Sequence, residues 1–310
     1  MTNFVAVVGA DDPEMKEIVE ILATNGVETI FAERGGRRVH PGNAYDADAP
    51  EVPTGAKIIA IECGWPGMAD VTVIDHHRPG DPGYGMGASE YWEASSIGQV
   101  YGLMGIPSNP EAKAVAAVDH CAADAMHGRC PGVDAETARA TRRRQINAAF
   151  PNLTARDREA LLEPIMTALG FAGLATVEIG GSHAILDFAS QSVAPFEPTG
   201  IPTLAAGYSY EYLMLQQIWM ENLSRQFDGM IFLHRDVEGG PEKCVFNGKQ
   251  ETARAFMNEW APSRGLVQIY GNPERGYAGG YIEPGSNKKT PKHIKKLFSN
   301  ITKLISTPRG

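Results

Sequence analysis

The chain has 310 residues, of which 43% are hydrophobic and 21% charged; this excludes a disordered protein and leaves room for about two domains. No run approaches the ~18 consecutive apolar residues of a membrane helix, and four scattered cysteines (Cys63, Cys121, Cys130, Cys244) exclude a disulfide scaffold. The net charge of −9 is uneven: Lys288, Lys289, Lys292, Lys295, Lys296, Lys303 and Arg309 place +7 after Glu283, which leaves −16 on the rest, a poor surface for duplex nucleic acid.

The first third alternates strand and helix. Phe4–Val8 is a short apolar run ending at Gly9, and Pro13 stands where a first helical turn begins. Met15, Ile18, Val19 and Leu22 have helical spacing and stop at Asn25-Gly26, a helix-ending pair. Val27–Ala32, Lys57–Ile61 and Val71–Ile74 read as further strands, each apolar enough for burial on both faces. The stretch from Glu33 to Thr54, rich in Gly, Pro, Asp and Arg, reads as a long loop of the kind that carries function. Helical spacing then dominates over 94–104, 110–126, 135–150 and 155–171, with the basic run Arg142, Arg143, Arg144 on a solvated face. A proline cluster (Pro195, Pro198, Pro202) marks a boundary, so domains are expected over 1–192 and 193–310. Beyond it come a helix over 208–225, strands near 230–234 and 243–246, a helix over 250–260, and strands near 266–270 and 279–282. The pattern predicts an α/β fold with a mostly parallel sheet flanked by helices, followed by a smaller α+β domain. Ile294, Leu297, Phe298, Ile301, Leu304 and Ile305 give the basic tail an amphipathic helical pattern.

The main chemical signal is Val71-Thr72-Val73-Ile74-Asp75-His76-His77. A buried strand delivers a carboxylate and two imidazoles to its C-terminal end, where open α/β sheets place their ligands. Such a donor set suits Mn²⁺, Zn²⁺ and similar ions.

Asp75-His76-His77 after a hydrophobic strand resembles the signature of the DHH phosphoesterase superfamily, and the resemblance runs through residues 1–125. The first strand ends in Val7-Val8-Gly9-Ala10-Asp11-Asp12-Pro13-Glu14, like that family's first motif; aligned on Pro13, the chain offers Ala10, Glu14 and Lys16 at the family's three acidic or His positions. A middle strand ends in Glu62, where the family carries a metal-bridging Asp. The segment from Glu93 to Val100 is similar to the helix after the signature, and Ala116-Ala117-Val118-Asp119 to the fourth motif, whose Asp is a ligand. The resemblance implies a metal-dependent phosphohydrolase, with Asp11, Asp12, Glu14, Glu62, Asp75, His76 and Asp119 as candidate ligands of two ions. Mn²⁺ is the expected ion, with Mg²⁺, Zn²⁺ or Co²⁺ as alternatives. Asp75 and His77 take the catalytic roles, His77 facing the substrate phosphate as donor or general acid.

Several side chains keep two readings. Ser95 and Ser96 either hold a phosphoryl oxygen or cap a helix. His120 stands beside the metal set on the substrate side or, with Cys121, His127 and Cys130, ligates a structural zinc. Arg275 and Gly276 lie in a glycine-rich stretch, Gln268 to Tyr281, which either clamps a substrate phosphate or is a tight loop with packed tyrosines. Arg37, Arg38 and His40 form a second basic candidate in the early loop. The expected substrate is a small nucleotide, a short oligonucleotide or a cyclic dinucleotide. The alternative is a catalytically degenerate module that binds a nucleotide or a protein. A cytoplasmic homodimer without a secretion signal completes the expectation.

Overall fold

The computed structural model describes residues 4–159, 176–179, 182–186, 229–235 and 242–282, with residues 213, 214, 217, 220 and 221. The chain divides into two compact units, Met1–Arg142 and Arg143–Gly310. The boundary expected near residue 192, most of the helix over 208–225 and the basic tail lie outside the described residues, as does the helix over 155–171 beyond residue 159.

In the first unit, β1 (Phe4–Val8), β2 (Glu28–Phe31), β5 (Lys57–Ile61) and β6 (Val71–Ile74) form a parallel sheet in the order β2-β1-β5-β6. The two central strands have the continuous apolar character that burial on both faces requires; Val5, Ala6, Val7 and Val8 are fully buried. The expectation that all four strands are buried on both faces is corrected for β2 and β6. Both are edge strands, half-exposed along their length, and Phe31 is 43% exposed with the Arg38 guanidinium 4.2 Å above its ring.

Helix α1 (Pro13–Thr24) starts where Asp12 accepts the Met15 N–H at 2.7 Å and Pro13 occupies the first turn, and it buries Met15, Ile18 and Leu22. Each of those side chains contributes about 1.5–3 kcal/mol by leaving water. The stretch after β2 holds more structure than a loop. Its tight hairpin, β3 (Glu33–Arg34) and β4 (Arg37–Arg38), turns on Gly35 and Gly36 at positive φ, the backbone a two-residue hairpin turn needs. A short 3-10 turn (Ala44–Asp46) then docks on the segment after β5, through Ala47 N–H to the Gly64 carbonyl and Gly64 N–H to the Ala44 carbonyl, both 3.0 Å. Helices α2 (Tyr91–Ala94), α3 (Ser96–Met104) and α4 (Pro110–Ala125) pack on one another, and α1 joins α3 and α4. Asn109 caps α4 ahead of Pro110, and the helix kinks at Cys121. Helix α5 (Ala135–Ala149) follows.

The second unit is built on a six-stranded sheet in the order β11-β12-β10-β9-β8-β7, comprising β7 (Thr176–Ile179), β8 (Ser182–Leu186), β9 (Gly229–Arg235), β10 (Glu242–Gly248), β11 (Val267–Asn272) and β12 (Tyr277–Ile282). All neighbours are antiparallel except β8 and β9. Helix α6 (Gln250–Ala255), continued by a π-helical turn through Trp260, supplies Ala253, Phe256 and Trp260 to a core with Phe246, Ile231 and Ala278. The rings of Phe246, Phe256 and Trp260 stack in series at 5.5 and 5.1 Å.

The glycine-rich stretch is thus a hairpin rather than a loop. Gly279 and Gly280 are buried in β12, and a Cβ on Gly279 would lie 2.6 Å from the Tyr270 ring.

Candidate metal centre

Three strands of the parallel sheet end at one place, and each delivers a different group. After β1, Gly9 lets the chain pass against β5: a Cβ there would lie 2.3 Å from the Glu62 carbonyl oxygen. Glu62 follows β5 with φ of 50°, a left-handed backbone that a non-glycine residue holds only at a cost, of the kind that collects at functional sites. Its side chain is buried and accepts a 2.7 Å hydrogen bond from the Ser96 hydroxyl. From α1 comes Glu14, 1% exposed, whose Oε1 accepts the Ile97 N–H at 3.1 Å. Asp119 comes from α4 and His76 from the end of β6.

These four residues converge. Ligand atoms of Glu14, Glu62, His76 and Asp119 all lie within 4.8 Å of one another. A second group, Glu62, His76 and His77, meets the same condition and shares two members with the first. His76 Nε2 is 3.3 Å from Asp119 Oδ2 and 3.5 Å from Glu62 Oε1.

Proton positions follow from the partners. The Met86 carbonyl can only accept, so His120 Nε2, 3.0 Å away, carries a hydrogen. In neutral His120 the Nδ1 is then an acceptor, and His76 Nδ1, 3.1 Å from it, donates. That leaves the lone pair of His76 Nε2 directed among the Glu62 and Asp119 carboxylates. Oxygen and nitrogen lone pairs gathered this closely suit a cation.

Electrostatics agree. Burial, and next the charges of Asp119, Glu62 and Asp12, raise the Glu14 carboxyl well above its ordinary range. Burial raises Glu62 too, with the Asp119 and Asp75 charges adding to it. Asp12, the α1 cap, is raised well above its usual value by burial and by the Glu62 and Asp119 charges. A divalent ion removes this repulsion. Glu14 Oε2, buried without a hydrogen-bond partner, is an acceptor that a bound cation would satisfy.

The other expected residues are distributed as follows. Asp75 is not among the converging groups. Its Oδ1 accepts from the backbone of His76 (2.7 Å) and of His77 (3.0 Å) and from His77 Nδ1 (3.0 Å), and its two oxygens accept from the Tyr45 hydroxyl at 3.2 and 2.9 Å. Burial acts to raise Asp75, but the bonds and charge of His77, with help from Tyr45, hold it below its ordinary value. An ionised Asp75 only accepts, so His77 Nδ1 is the donor and Nε2 is its second site; the His77 side chain is 41% exposed.

Asp11 is exposed and faces Lys16 (3.9 Å) and Arg38 (3.8 Å). Lys16, at a position where the resembled family carries an acid, thus points to solvent rather than into the cluster. The Ser95 hydroxyl is used locally, accepting the Gly98 N–H and donating to the Trp92 carbonyl, which makes it the cap of α3. Arg37 is exposed on the hairpin, and the His40 ring accepts the Gly42 N–H in its own turn. Arg275 and Gly276 belong to the second unit, in the turn between β11 and β12. There Gly276 has φ of 68°, and a Cβ on it would lie 2.0 Å from the Gly248 carbonyl oxygen. Among the described residues no metal-ligating group forms around His120, Cys121, His127 and Cys130.

Sequence reasoning missed two contributors, Tyr45 and Arg78. Tyr45 reaches Asp75 from the early loop, and Arg78 stands over the Tyr45 ring with its guanidinium carbon 3.6 Å from the centroid. Arg38, not Arg37, bonds the Gly9 carbonyl through two nitrogens at 3.4 Å. Only the length of the early loop signalled Tyr45; no spacing rule pairs it with Asp75.

No family model and no curated protein matches the chain. A solved structure, the pGpG-specific phosphodiesterase PggH from Vibrio cholerae, matches 98% of this chain and 99% of its own, at 12% identity and a TM-score of 0.40, a likeness too distant to bear on function. No helix among the described residues is long and apolar enough to cross a membrane.

Proposed function

We propose that the chain is a metal-dependent phosphohydrolase of the DHH type, acting on a phosphodiester or phosphoanhydride of a small nucleotide, short oligonucleotide or cyclic dinucleotide. The observation that carries this reading is the convergence of Glu14, Glu62, His76 and Asp119 at the C-terminal ends of β1, β5 and β6. Glu62 and His76 belong to both ligand groups, as a pair serving two neighbouring ions would. Mn²⁺ suits this mixed carboxylate and imidazole set. When bound, such an ion neutralises charge on the phosphoryl oxygens and lowers the pKa of a water.

The chain's own residues do the rest. His77, its Nδ1 held by Asp75, keeps Nε2 for the substrate and in its protonated form donates to the leaving oxygen. Tyr45 and two backbone N–H groups keep Asp75 ionised and fixed, so the imidazole is held in one orientation. Arg38, bonded to the Gly9 carbonyl after β1, and Arg78, over the Tyr45 ring, are cations at this end of the sheet that suit a substrate phosphate.

The test uses metal-free full-length protein titrated with Mn²⁺, then assayed on pGpG, other linear dinucleotides, cyclic dinucleotides and pyrophosphate. The expected result is bound Mn²⁺ and Mn²⁺-dependent phosphate or mononucleotide release by wild type, both lost in His76→Ala. Equal inertness of wild type and variant on every substrate overturns the reading, and nucleotide binding without metal supports the degenerate binding module instead.

A further inference from the structure

The metal centre does not account for the two thiols beside it. Cys121 and Cys130 place their Sγ atoms 3.1 Å apart, in a chain with only four cysteines. Both are buried, at 3% and 2% exposure. Neither position is ordinary. Cys121 sits where α4 kinks, with φ −150° and ψ 58° inside an otherwise helical run. Cys130 is a single buried residue in an exposed turn, with Gly128 and Arg129 before it and Pro131 and Gly132 after it in solvent. Gly128 and Gly132 both have positive φ, so the turn folds back over α4. It is pinned by the Tyr91 hydroxyl donating to the Pro131 carbonyl at 3.1 Å, and by Arg139 donating to the Met126 carbonyl at 2.9 Å. The fold therefore brings two thiols into contact and holds them there, while leaving one under a thin, glycine-hinged cover.

We propose that Cys121 and Cys130 are a reversible dithiol–disulfide site, oxidised by a small peroxide, and that the disulfide weakens metal binding through the adjoining Asp119 and His120. The chemistry balances with hydrogen peroxide as oxidant. One thiolate attacks a peroxide oxygen, the O–O bond breaks, and a sulfenic acid and water form. The second thiol then attacks that sulfur, the S–S bond forms, and a second water leaves. Two thiols and one peroxide give one disulfide and two waters, and a dithiol reductant reverses the step. Peroxide is close to water in size, so a local opening of the 128–132 turn admits it where a bulky disulfide is excluded.

Closing the sulfurs from 3.1 Å to the ~2 Å of a covalent bond draws Cys121 by up to about 1 Å. His120 is next to it and bonds His76; Asp119 is two residues away and faces His76 Nε2 at 3.3 Å. Cys121 lies at the kink of α4, in direct chain continuity with both residues, so its displacement is passed along the backbone to them. The coupling half of the proposal rests on the metal reading above; the disulfide half does not.

The experiment takes the full-length wild-type chain, fully reduced and then exposed to hydrogen peroxide. After unfolding, free thiols are labelled with N-ethylmaleimide, and intact mass and peptide mapping follow. Expected are four labels before oxidation and two after it, a peptide linking residues 121 and 130, and recovery of four labels with a dithiol reductant. Four labels after peroxide, or a linkage through Cys63 or Cys244, overturns the site; Cys130→Ser is expected to keep its three labels. Mn²⁺ binding to the two forms is measured in parallel, with an affinity about tenfold lower expected for the disulfide form. Equal affinities overturn the coupling. Mn²⁺ bound by neither form overturns the metal reading and the coupling together, while the mass data still decide the disulfide.

Discussion

The ends of the parallel sheet and the core of the second unit are both buried, yet they are built on opposite principles. Around Phe246, Phe256 and Trp260 the buried side chains are apolar and aromatic and their rings stack, so burial itself stabilises the fold. Around Glu14, Glu62, His76 and Asp119 burial works against the fold, because carboxylates taken out of water face one another. The first arrangement needs nothing more; the second is incomplete without a cation. Buried charge of one sign, held in place by strained backbone and dedicated hydrogen bonds, marks a site for function rather than stability.

Substitutions should separate the two regions sharply. His76→Ala removes a member of both ligand groups and is expected to lower Mn²⁺-dependent turnover by about a thousandfold, since metal stabilisation of phosphoryl charge supplies several kcal/mol. Its metal-free melting temperature should stay close to wild type. Phe256→Ala should show the reverse, losing about 3–5 kcal/mol of stability in the unit it belongs to, measured by urea unfolding, with Mn²⁺ affinity unchanged.

The metal itself tests the contrast next. Saturating wild type with Mn²⁺ at a hundred times its dissociation constant should raise stability by about 2.7 kcal/mol, seen as a higher melting temperature that His76→Ala does not share. The pH dependence of that gain has a definite sign. Asp12, Glu14 and Glu62 titrate above their unfolded values, so the metal-free native state holds more protons than the unfolded chain. Metal-free stability should therefore fall as pH rises from the ordinary carboxylate range, about 4, through their raised values. The Mn²⁺ gain should grow over the same window, because ligands must lose protons to bind. Asp75 runs the other way: its contribution is present above its unfolded pKa and is lost only as pH falls through its lowered value. A metal-free melting temperature that rises with pH above the carboxylate range would break the comparison.

The smallest expected effect belongs to Tyr45→Phe. It removes a hydroxyl that bonds both oxygens of Asp75 and should cost about tenfold in turnover, equivalent to about 1.4 kcal/mol, with Mn²⁺ affinity kept. A larger loss of affinity than of turnover would assign Tyr45 to the metal instead of to His77.

Much of the first unit is legible in the chain. The runs over 4–8, 57–61 and 71–74 are strands to the residue, and Asp12-Pro13 starts α1. Local chemistry governs these features: apolar runs seek burial, and a cap followed by proline nucleates a helix. Glu14, Glu62, Asp75, His76 and Asp119 are candidate ligands through the resemblance of their motifs to a known family. Which of these carboxylates meet is not legible there. Glu14 enters the cluster while Asp75 is turned to Tyr45 and His77, and only the packing of α1 and the early loop separates two otherwise similar carboxylates.

The sequence alone determined the kind of fold, because periodicity and residue type act over a few positions. Tertiary structure decided which side chains share a charge, a proton or a sulfur contact. Tyr45 with Asp75, Met86 with His120, and Cys121 with Cys130 meet only after the chain has folded. No short-range rule relates residues 30, 34 or 9 positions apart; the balance of burial and hydrogen bonding over the whole unit does.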